Sequence, residues 1–247
     1  MQLKTWGLVI KEQTIGESDR LVTVLTRDEG VLRAFAKRAK NMKDSKSSAT
    51  QLLCYSRFNI YKGRDKYIIN DAFPIEVFFD LRKAITKLAL AQYFCQLAAE
   101  LAPEGVEASE FLRIVLNTLH FLCKDKRPEL VLKSIFEMRI LTCAGYMPNL
   151  IYCEDCGAYE AEKMHFTVGE GKIFCDDCFV KTEELSVTLG QAAMKAMRHI
   201  VYSDFEKLYS FSLSDTAAKE LSVACETYML NIIQKRLDTL EFYHSLY

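Results

Sequence analysis

Four cysteines constrain this chain more than any other feature. Cys153 and Cys156 form one CxxC pair, Cys175 and Cys178 form a second, and 18 residues separate the two. Each CxxC turn can offer two thiolates to one ion at about 2.3 Å, and two such turns complete a tetrahedron. Gly157 follows the first pair, where a knuckle must turn sharply. The runs 164–168 and 172–174 flank Gly169-Glu170-Gly171 and read as a hairpin carrying the second pair. An all-cysteine set leaves no open position for a catalytic water, so the expectation is one structural Zn2+ on Cys153, Cys156, Cys175 and Cys178. Four unmetallated thiols or a redox pair is the competing reading. His165 is close by, but a fourth Cys makes it unnecessary. Glu154, Asp155, Asp176 and Asp177 are expected to solvate the knuckle surface.

The other five cysteines, Cys54, Cys95, Cys123, Cys143 and Cys225, lie in apolar stretches and read as small core residues. Nine is an odd number for a disulfide framework, and the N-terminus lacks the apolar run of an export signal. The most apolar stretch, 84–102, contains Lys87, Gln92, Gln96 and Glu100, which suits a buried helix and not a membrane span. A cytoplasmic protein with no membrane partner is expected.

Around the cysteine segment the pattern changes twice. Residues 5–10, 21–25, 31–36, 55–61 and 66–72 read as five short strands, with turns at Asp28-Glu29-Gly30 and Gly63-Arg64-Asp65. Five strands with a long excursion after the third suit a small closed barrel of the OB type, with an SH3-like barrel as the alternative. From Pro74 onward the period becomes helical. Helices are expected at 85–101, at about 109–122 behind a Ser109 cap, at 130–144 ended by Gly145, at 191–201 and at 214–240. The last should carry Leu221, Cys225, Tyr228, Ile232 and Leu240 on its apolar side. The expected fold class is α+β and multidomain: a five-stranded barrel at 1–80, expected as an OB-fold with the SH3-like barrel still open, a helical domain at 81–146 and 191–247, and a zinc-binding insert at 147–190.

A net charge of −1 argues at first sight against a nucleic-acid partner. The sum hides a partition. Residues 1–80 carry 14 basic and 10 acidic side chains, a net of +4, whereas residues 147–190 carry 3 and 9, a net of −6. Within the basic part, Arg33, Lys37, Arg38, Lys40, Lys43 and Lys46 face only Asp44, giving +5 over 14 residues. Phosphate binding needs this density; a solvated loop is the bland reading. On an OB barrel such a loop works together with aromatic platforms, for which Tyr55, Phe58, Tyr61 and Tyr67 are candidates, although most aromatics in so small a barrel must be core. Arg20 has the alternative of pairing with Glu17 or Asp19.

Motifs for catalysis fail. Gly169-Glu170-Gly171-Lys172 lacks the glycine and the hydroxyl residue of a phosphate loop, since Phe166 and Ile173 hold those places. His120, His165, His199 and His244 form no HExxH pair, and no nucleophile elbow is present. A non-enzymatic protein is expected.

Gly16-Glu-Ser-Asp-Arg-Leu21, the run from Thr26 to Arg33 and Ala36-Lys-Arg-Ala39 resemble the opening of the bacterial RecO recombination-mediator family. Phe136-Glu-Met-Arg-Ile-Leu141, Gly145-Tyr146 and Cys153-x-x-Cys156-Gly157 resemble its helix-to-zinc junction. The likeness runs over nearly the whole chain, departing at Asn41-Met42-Lys43, where many members have a Pro-containing basic run. It implies binding of single- and double-stranded DNA, strand annealing and recombinase loading in recombinational DNA repair. It also implies two protein partners, the RecR ring protein and the acidic C-terminal tail of single-stranded-DNA-binding protein. By motif position Arg20, Arg33, Lys37, Arg38 and Lys40 become candidate DNA contacts; Lys43 and Lys46 join them on charge. Arg139, Lys124, Lys126 and Arg127 are candidates for an acidic tail, with a solvated helix face as the alternative. A zinc-stabilised adaptor whose barrel binds peptides remains the second functional hypothesis.

Overall fold

The alternating residues of the first third form β1 (Gln2–Ile15), β2 (Asp19–Thr26), β3 (Gly30–Ala36), β4 (Cys54–Lys62) and β5 (Tyr67–Val77), with the short helix α1 (Lys46–Ala49) between β3 and β4. A computed structural model describes residues 1–41, 44–64, 66–181 and 183–247 of the chain. The strands close into a barrel in the order β1-β2-β3-β5-β4, and β4 returns to β1. Long β1 does this by pairing with β4 through residues 2–8 and with β2 through residues 7–15, bending at a bulge between Val9 and Lys11. This is the five-stranded OB-fold barrel expected from the alternation. Its interior is narrow and is filled by small residues, among them Val9, Val22, Val24, Ala34, Ala36 and Ala72, around Phe58, Ile60 and Ile69.

Two local expectations fail at the end of the barrel. Strand β5 does not stop at residue 72 but continues through Pro74 to Val77. Pro74 is tolerated because the register between β4 and β5 shifts at Tyr55/Ser56, directly opposite it, where a missing N–H donor costs no ladder bond. Helical structure begins only with a 3-10 turn, Phe79–Lys83, followed by α2 (Ile85–Leu101).

Helix α3 (Ser109–Cys123) starts one residue earlier than a Ser109 cap would allow. Ala108 occupies the cap position, and the Ser109 hydroxyl donates to Glu107 at 2.8 Å. The turn between β2 and β3 is clasped by the segment joining α2 to α3. Val31 N–H donates to Pro103 O at 2.9 Å, and Ala108 N–H to Arg27 O at 2.8 Å. Gly30 is required there: its φ is +61°, and an added Cβ would lie 1.9 Å from Pro103 O.

The remaining elements are α4 (Glu129–Cys143), β6 (Lys163–Thr167), β7 (Lys172–Cys175), β8 (Ser186–Gly190), α5 (Gln191–Tyr202), α6 (Asp215–Ile233) and α7 (Asp238–His244). The expected single helix at 214–240 is two. Gln234, at φ 49°, ends α6 in the left-handed region, so Leu240 belongs to α7. The β6–β7 hairpin is as expected, but β8 adds a third strand to it in the order β7-β6-β8.

Contacts divide the chain into two compact units, Met1–Asp125 with Leu237–Tyr247, and Lys126–Arg236. The first unit holds the barrel with α2, α3 and α7; Thr239 on α7 bonds to Gln96 on α2 through its N–H at 3.2 Å. The second holds the cysteine segment with α4, α5 and α6. The cuts between these units fall at 125/126 and 236/237, among the helices. Among the described residues no helix is long and apolar enough to cross a membrane.

Candidate nucleic-acid interface and metal centre

The basic loop leaves β3 at Ala36, and the turn between β1 and β2 fastens its beginning. Asp19 accepts the backbone N–H of Arg38 at 2.9 Å, and Lys40 N–H donates to Ser18 O at 3.0 Å. Arg38 has φ 58°, a conformation that costs a non-glycine residue on the order of 1 kcal/mol. The Asp19 bond offsets that cost. That N–H bond is also the main reason the Asp19 carboxyl stays below its usual range; desolvation opposes it, and the Ser18 hydroxyl and the charges of Lys37 and Arg38 add to it.

Arg20, the next residue, fastens the far end. Its side chain lies 2.9 Å from Glu12 and donates to Ser47 O at 2.6 Å and to Thr50 Oγ1 at 3.0 Å. Glu12 in turn accepts the N–H of Leu52 at 2.9 Å. The Gly16–Leu21 string thus has a physical reading: Asp19 and Arg20 are adjacent clamps on two ends of one loop.

Of the seven candidate DNA contacts, Arg33, Lys37, Arg38 and Lys40 are exposed. Arg20 is only 9% exposed and spends its donors on the loop backbone. Lys46 is half-buried and pairs with Asp44 at 3.5 Å. Lys43 lies outside the described residues, as does Asp65 of the expected hairpin turn. Among the candidate platforms, Phe58 is core at 1% exposure. Tyr55 and Tyr67 are half-buried, and Tyr61 faces outward. Of the residues considered for an acidic tail, Arg127 donates to Phe211 O at 3.0 Å, and Arg139 to Val201 O at 3.1 Å. Lys124 and Lys126 are exposed.

In the second unit the four cysteines meet. Their sulfur atoms all lie within 4.8 Å of one another, and Cys156 and Cys175 are 3.7 Å apart. Sulfurs about 2.3 Å from a central ion occupy a tetrahedron with edges of about 3.8 Å, so the set can hold a metal ion. The first knuckle closes through Gly157 N–H to Cys153 O at 3.0 Å, with Gly157 at φ +74°. The second closes through Phe179 N–H to Cys175 O at 2.9 Å. Cys175 N–H points at Cys153 Sγ, 3.4 Å away. Burial pushes the Cys153 thiol up, but the backbone N–H groups of Cys156, Cys175 and Asp155 outweigh it and bring it down to about 6. The Cys178 thiol is held high by Cys156 and Cys175, as expected where several sulfurs compete to carry negative charge. A bound cation relieves that competition.

The neighbouring polar groups are engaged elsewhere. His165 stacks on Phe179 with centroids 4.1 Å apart, and its ring nitrogens lie 2.6 Å from Asp176 and 3.1 Å from Thr188. Glu154 pairs with Lys172 at 3.2 Å. Asp155 and Asp177 are exposed.

Within the same unit, Lys133 is fully buried on α4 between Glu137 at 2.7 Å and Glu226 of α6 at 2.6 Å. Burial works against its charge, yet the two carboxylates prevail and raise its pKa. The Phe136–Arg139 string thereby supplies one member of a buried ion triad and, through Arg139, a tie to the end of α5. Of the cysteines expected in the core, Cys54, Cys95 and Cys225 are buried, with Cys95 pushed up to about 12 by desolvation. Cys123 and Cys143 are half-buried.

Two family models match the chain: "Recombination protein O N terminal" over residues 1–78 and "Recombination protein O C terminal" over residues 82–241. A DNA repair protein RecO of Acetivibrio thermocellus is 34% identical over 244 residues, covering 99% of this chain and 97% of that protein. RecO proteins of Caldicellulosiruptor bescii and Alkaliphilus metalliredigens are 29% and 26% identical, over 99% and 98% of this chain and 98% of each relative.

Proposed function

The chain belongs to the recombination protein O family, a family of DNA repair and recombination, and from that premise we propose that it is a non-enzymatic DNA-binding mediator. The observation that carries the reading is the exposed set Arg33, Lys37, Arg38 and Lys40, the first on β3 and the other three on the loop that Asp19 and Arg20 clamp at both ends. A clamped cationic loop keeps its charges together at little further entropic cost on binding. It neutralises phosphates of single- or double-stranded DNA and releases their counterions. Annealing follows from the same physics, because a cationic surface screens the repulsion between two complementary polyanions; no covalent step is needed.

Arg20 is left out of the proposed contact surface, since its donors are engaged inside. Lys46 and Lys43 remain in it on charge alone. Recombinase loading calls for protein partners. The RecR-type ring protein and the acidic tail of single-stranded-DNA-binding protein are the partners the family implies, and exposed Lys126 suits such a tail better than Arg127 or Arg139. Work on DNA places the protein in the bacterial cytoplasm, at the nucleoid when acting.

We assign the cysteine set to one Zn2+, held by Cys153, Cys156, Cys175 and Cys178. The ion supplies cross-linking of two knuckles and charge neutralisation for the thiolates. The donor chemistry fits zinc, four soft thiolates at tetrahedral spacing.

The test is the binding of the full chain to labelled oligonucleotides over a salt series. Changing Lys37, Arg38 and Lys40 together to Glu should abolish binding at moderate salt without changing the circular dichroism spectrum. Unchanged affinity would refute the loop reading. Salt-insensitive binding of peptides with no affinity for DNA would favour the adaptor hypothesis.

A further inference from the structure

The barrel carries a second cationic and aromatic feature on strands the basic loop does not use. Trp6 on β1 pairs directly with Arg57 on β4, and Arg57 pairs directly with Phe73 on β5. The Arg27 guanidinium sits over the Trp6 ring at 4.4 Å, and that of Arg57 lies 5.4 Å from the Phe73 ring centre. Arg27, Trp6, Arg57 and Phe73 therefore form a row, cation and aromatic in alternation, across three neighbouring strands. Asp28 holds Arg27 in place, accepting from its Nε at 3.0 Å, and is itself fixed by Thr5 Oγ1 at 2.7 Å. Beside the row is a shallow cavity of about 280 Å³ lined by Lys4, Arg57, Asn59, Asp71 and Phe73.

This row is on the outside. The ring of Phe73 is at the open end of the row, and the residue is 47% exposed. A large aromatic left in water on a barrel exterior forgoes favourable burial. Flat rings interleaved with guanidinium planes stack bases of any sequence, and the cations alongside meet the phosphates. A duplex cannot use such a surface, because its bases are already stacked and paired.

Resting on the DNA-binding reading above, we infer that Arg27, Trp6, Arg57 and Phe73 form a stacking platform for the unpaired bases of a single strand. It is distinct from the phosphate-gripping loop and from the β2–β3 face that OB barrels commonly use. The two features divide the work: the loop grips the backbone of either DNA form, and the row recognises only strands that have lost their partner.

Trp6 is the only tryptophan of the chain, so the platform carries its own reporter. The full chain is titrated with a single-stranded oligonucleotide and with a duplex of equal length, reading tryptophan emission and the anisotropy of the labelled DNA together. The single strand should quench Trp6, whereas the duplex should bind without quenching. Phe73→Ala should weaken single-strand binding about 5- to 100-fold, the loss of about one stacked base, and leave duplex affinity unchanged. Arg57→Gln should act in the same direction. Retained duplex affinity shows that these variants are folded. Binding of both DNA forms with unaltered Trp6 emission, equal quenching by both forms, or undiminished single-strand affinity in Phe73→Ala would overturn the platform and leave the loop reading standing. Absence of binding to either form by the unaltered chain would overturn both.

Discussion

The barrel and the unit from Lys126 to Arg236 place their charged groups in opposite ways. In the barrel Lys37, Arg38 and Lys40 of the loop are exposed, and Arg20 turns inward to hold that loop. In the other unit the decisive polar groups are interior: a fully buried Lys133 between two carboxylates, and a thiol cluster of which Cys153 and Cys175 are buried. Closure explains the contrast. Five strands joined edge to edge satisfy their own backbone bonds and leave no open edge, so the barrel exterior is free to carry binding charge. A three-stranded sheet with strands of four and five residues has no such closure and little core of its own. It needs a cross-link.

The comparison is broken most severely by removing the cross-link. Chelation, or Cys175→Ser, should lower metal content and thermal stability together. Structural zinc contributes about 10 kcal/mol or more of apparent binding energy in small domains. Hydrogen exchange should then show loss of protection in β6–β8 while the barrel strands keep theirs; equal loss in both would deny that the two are stabilised separately.

Next in size is the buried triad. Lys133→Met removes the buried cation shared by Glu137 and Glu226, at a cost of about 3–5 kcal/mol. Denaturant unfolding monitored in the second unit reads this. Replacing all three members with apolar residues should recover most of the loss.

The loop substitutions should change function and not stability. With Lys37, Arg38 and Lys40 changed to Glu, the melting temperature should hold, while the slope of log affinity against log salt becomes shallower by about 3, one unit per lost phosphate contact.

The smallest effect concerns Asp19. Its carboxyl is held below its ordinary range, so the contribution of its bond to Arg38 is present above that range and disappears as pH falls through the lowered value. Nuclear magnetic resonance titration should find the Asp19 carboxyl more acidic than an ordinary aspartate side chain. Asp19→Asn should weaken DNA binding slightly, by loosening the loop at Arg38.

Much of this was legible in the chain. The five short β-rich segments announced the barrel, because runs of β-branched and aromatic residues bounded by turns suit short strands. The paired CxxC spacing announced the cluster, because ligands to one ion must arrive in local turns. Other features escaped for reasons that are equally physical. Pro74 looked like the end of the strand, since its compatibility depends on a register shift in β4, far away in sequence. Leu240 looked like a continuation of α6, since nothing in the local pattern marks Gln234 as left-handed. For Arg20 a pairing with Glu17 or Asp19 stood beside the DNA reading, but its actual partners Glu12, Ser47 and Thr50 were not legible, since they are brought to it only by closure of the barrel. Trp6 looked like an ordinary strand former, and Phe73 fell just beyond the expected fifth strand.

By itself, then, the sequence determined the strands, most of the helices, the four-thiol cluster and the concentration of positive charge between Arg33 and Lys46. All of these rest on neighbours along the chain, whose spacing local geometry enforces. Only the tertiary structure decided which cations are exposed and which are engaged as clamps, that Lys133 is an interior charge, and that Arg27, Trp6, Arg57 and Phe73 stand in one row. Each of those outcomes depends on pairing between residues tens of positions apart, and register across a closed sheet is settled by the packing of the whole barrel.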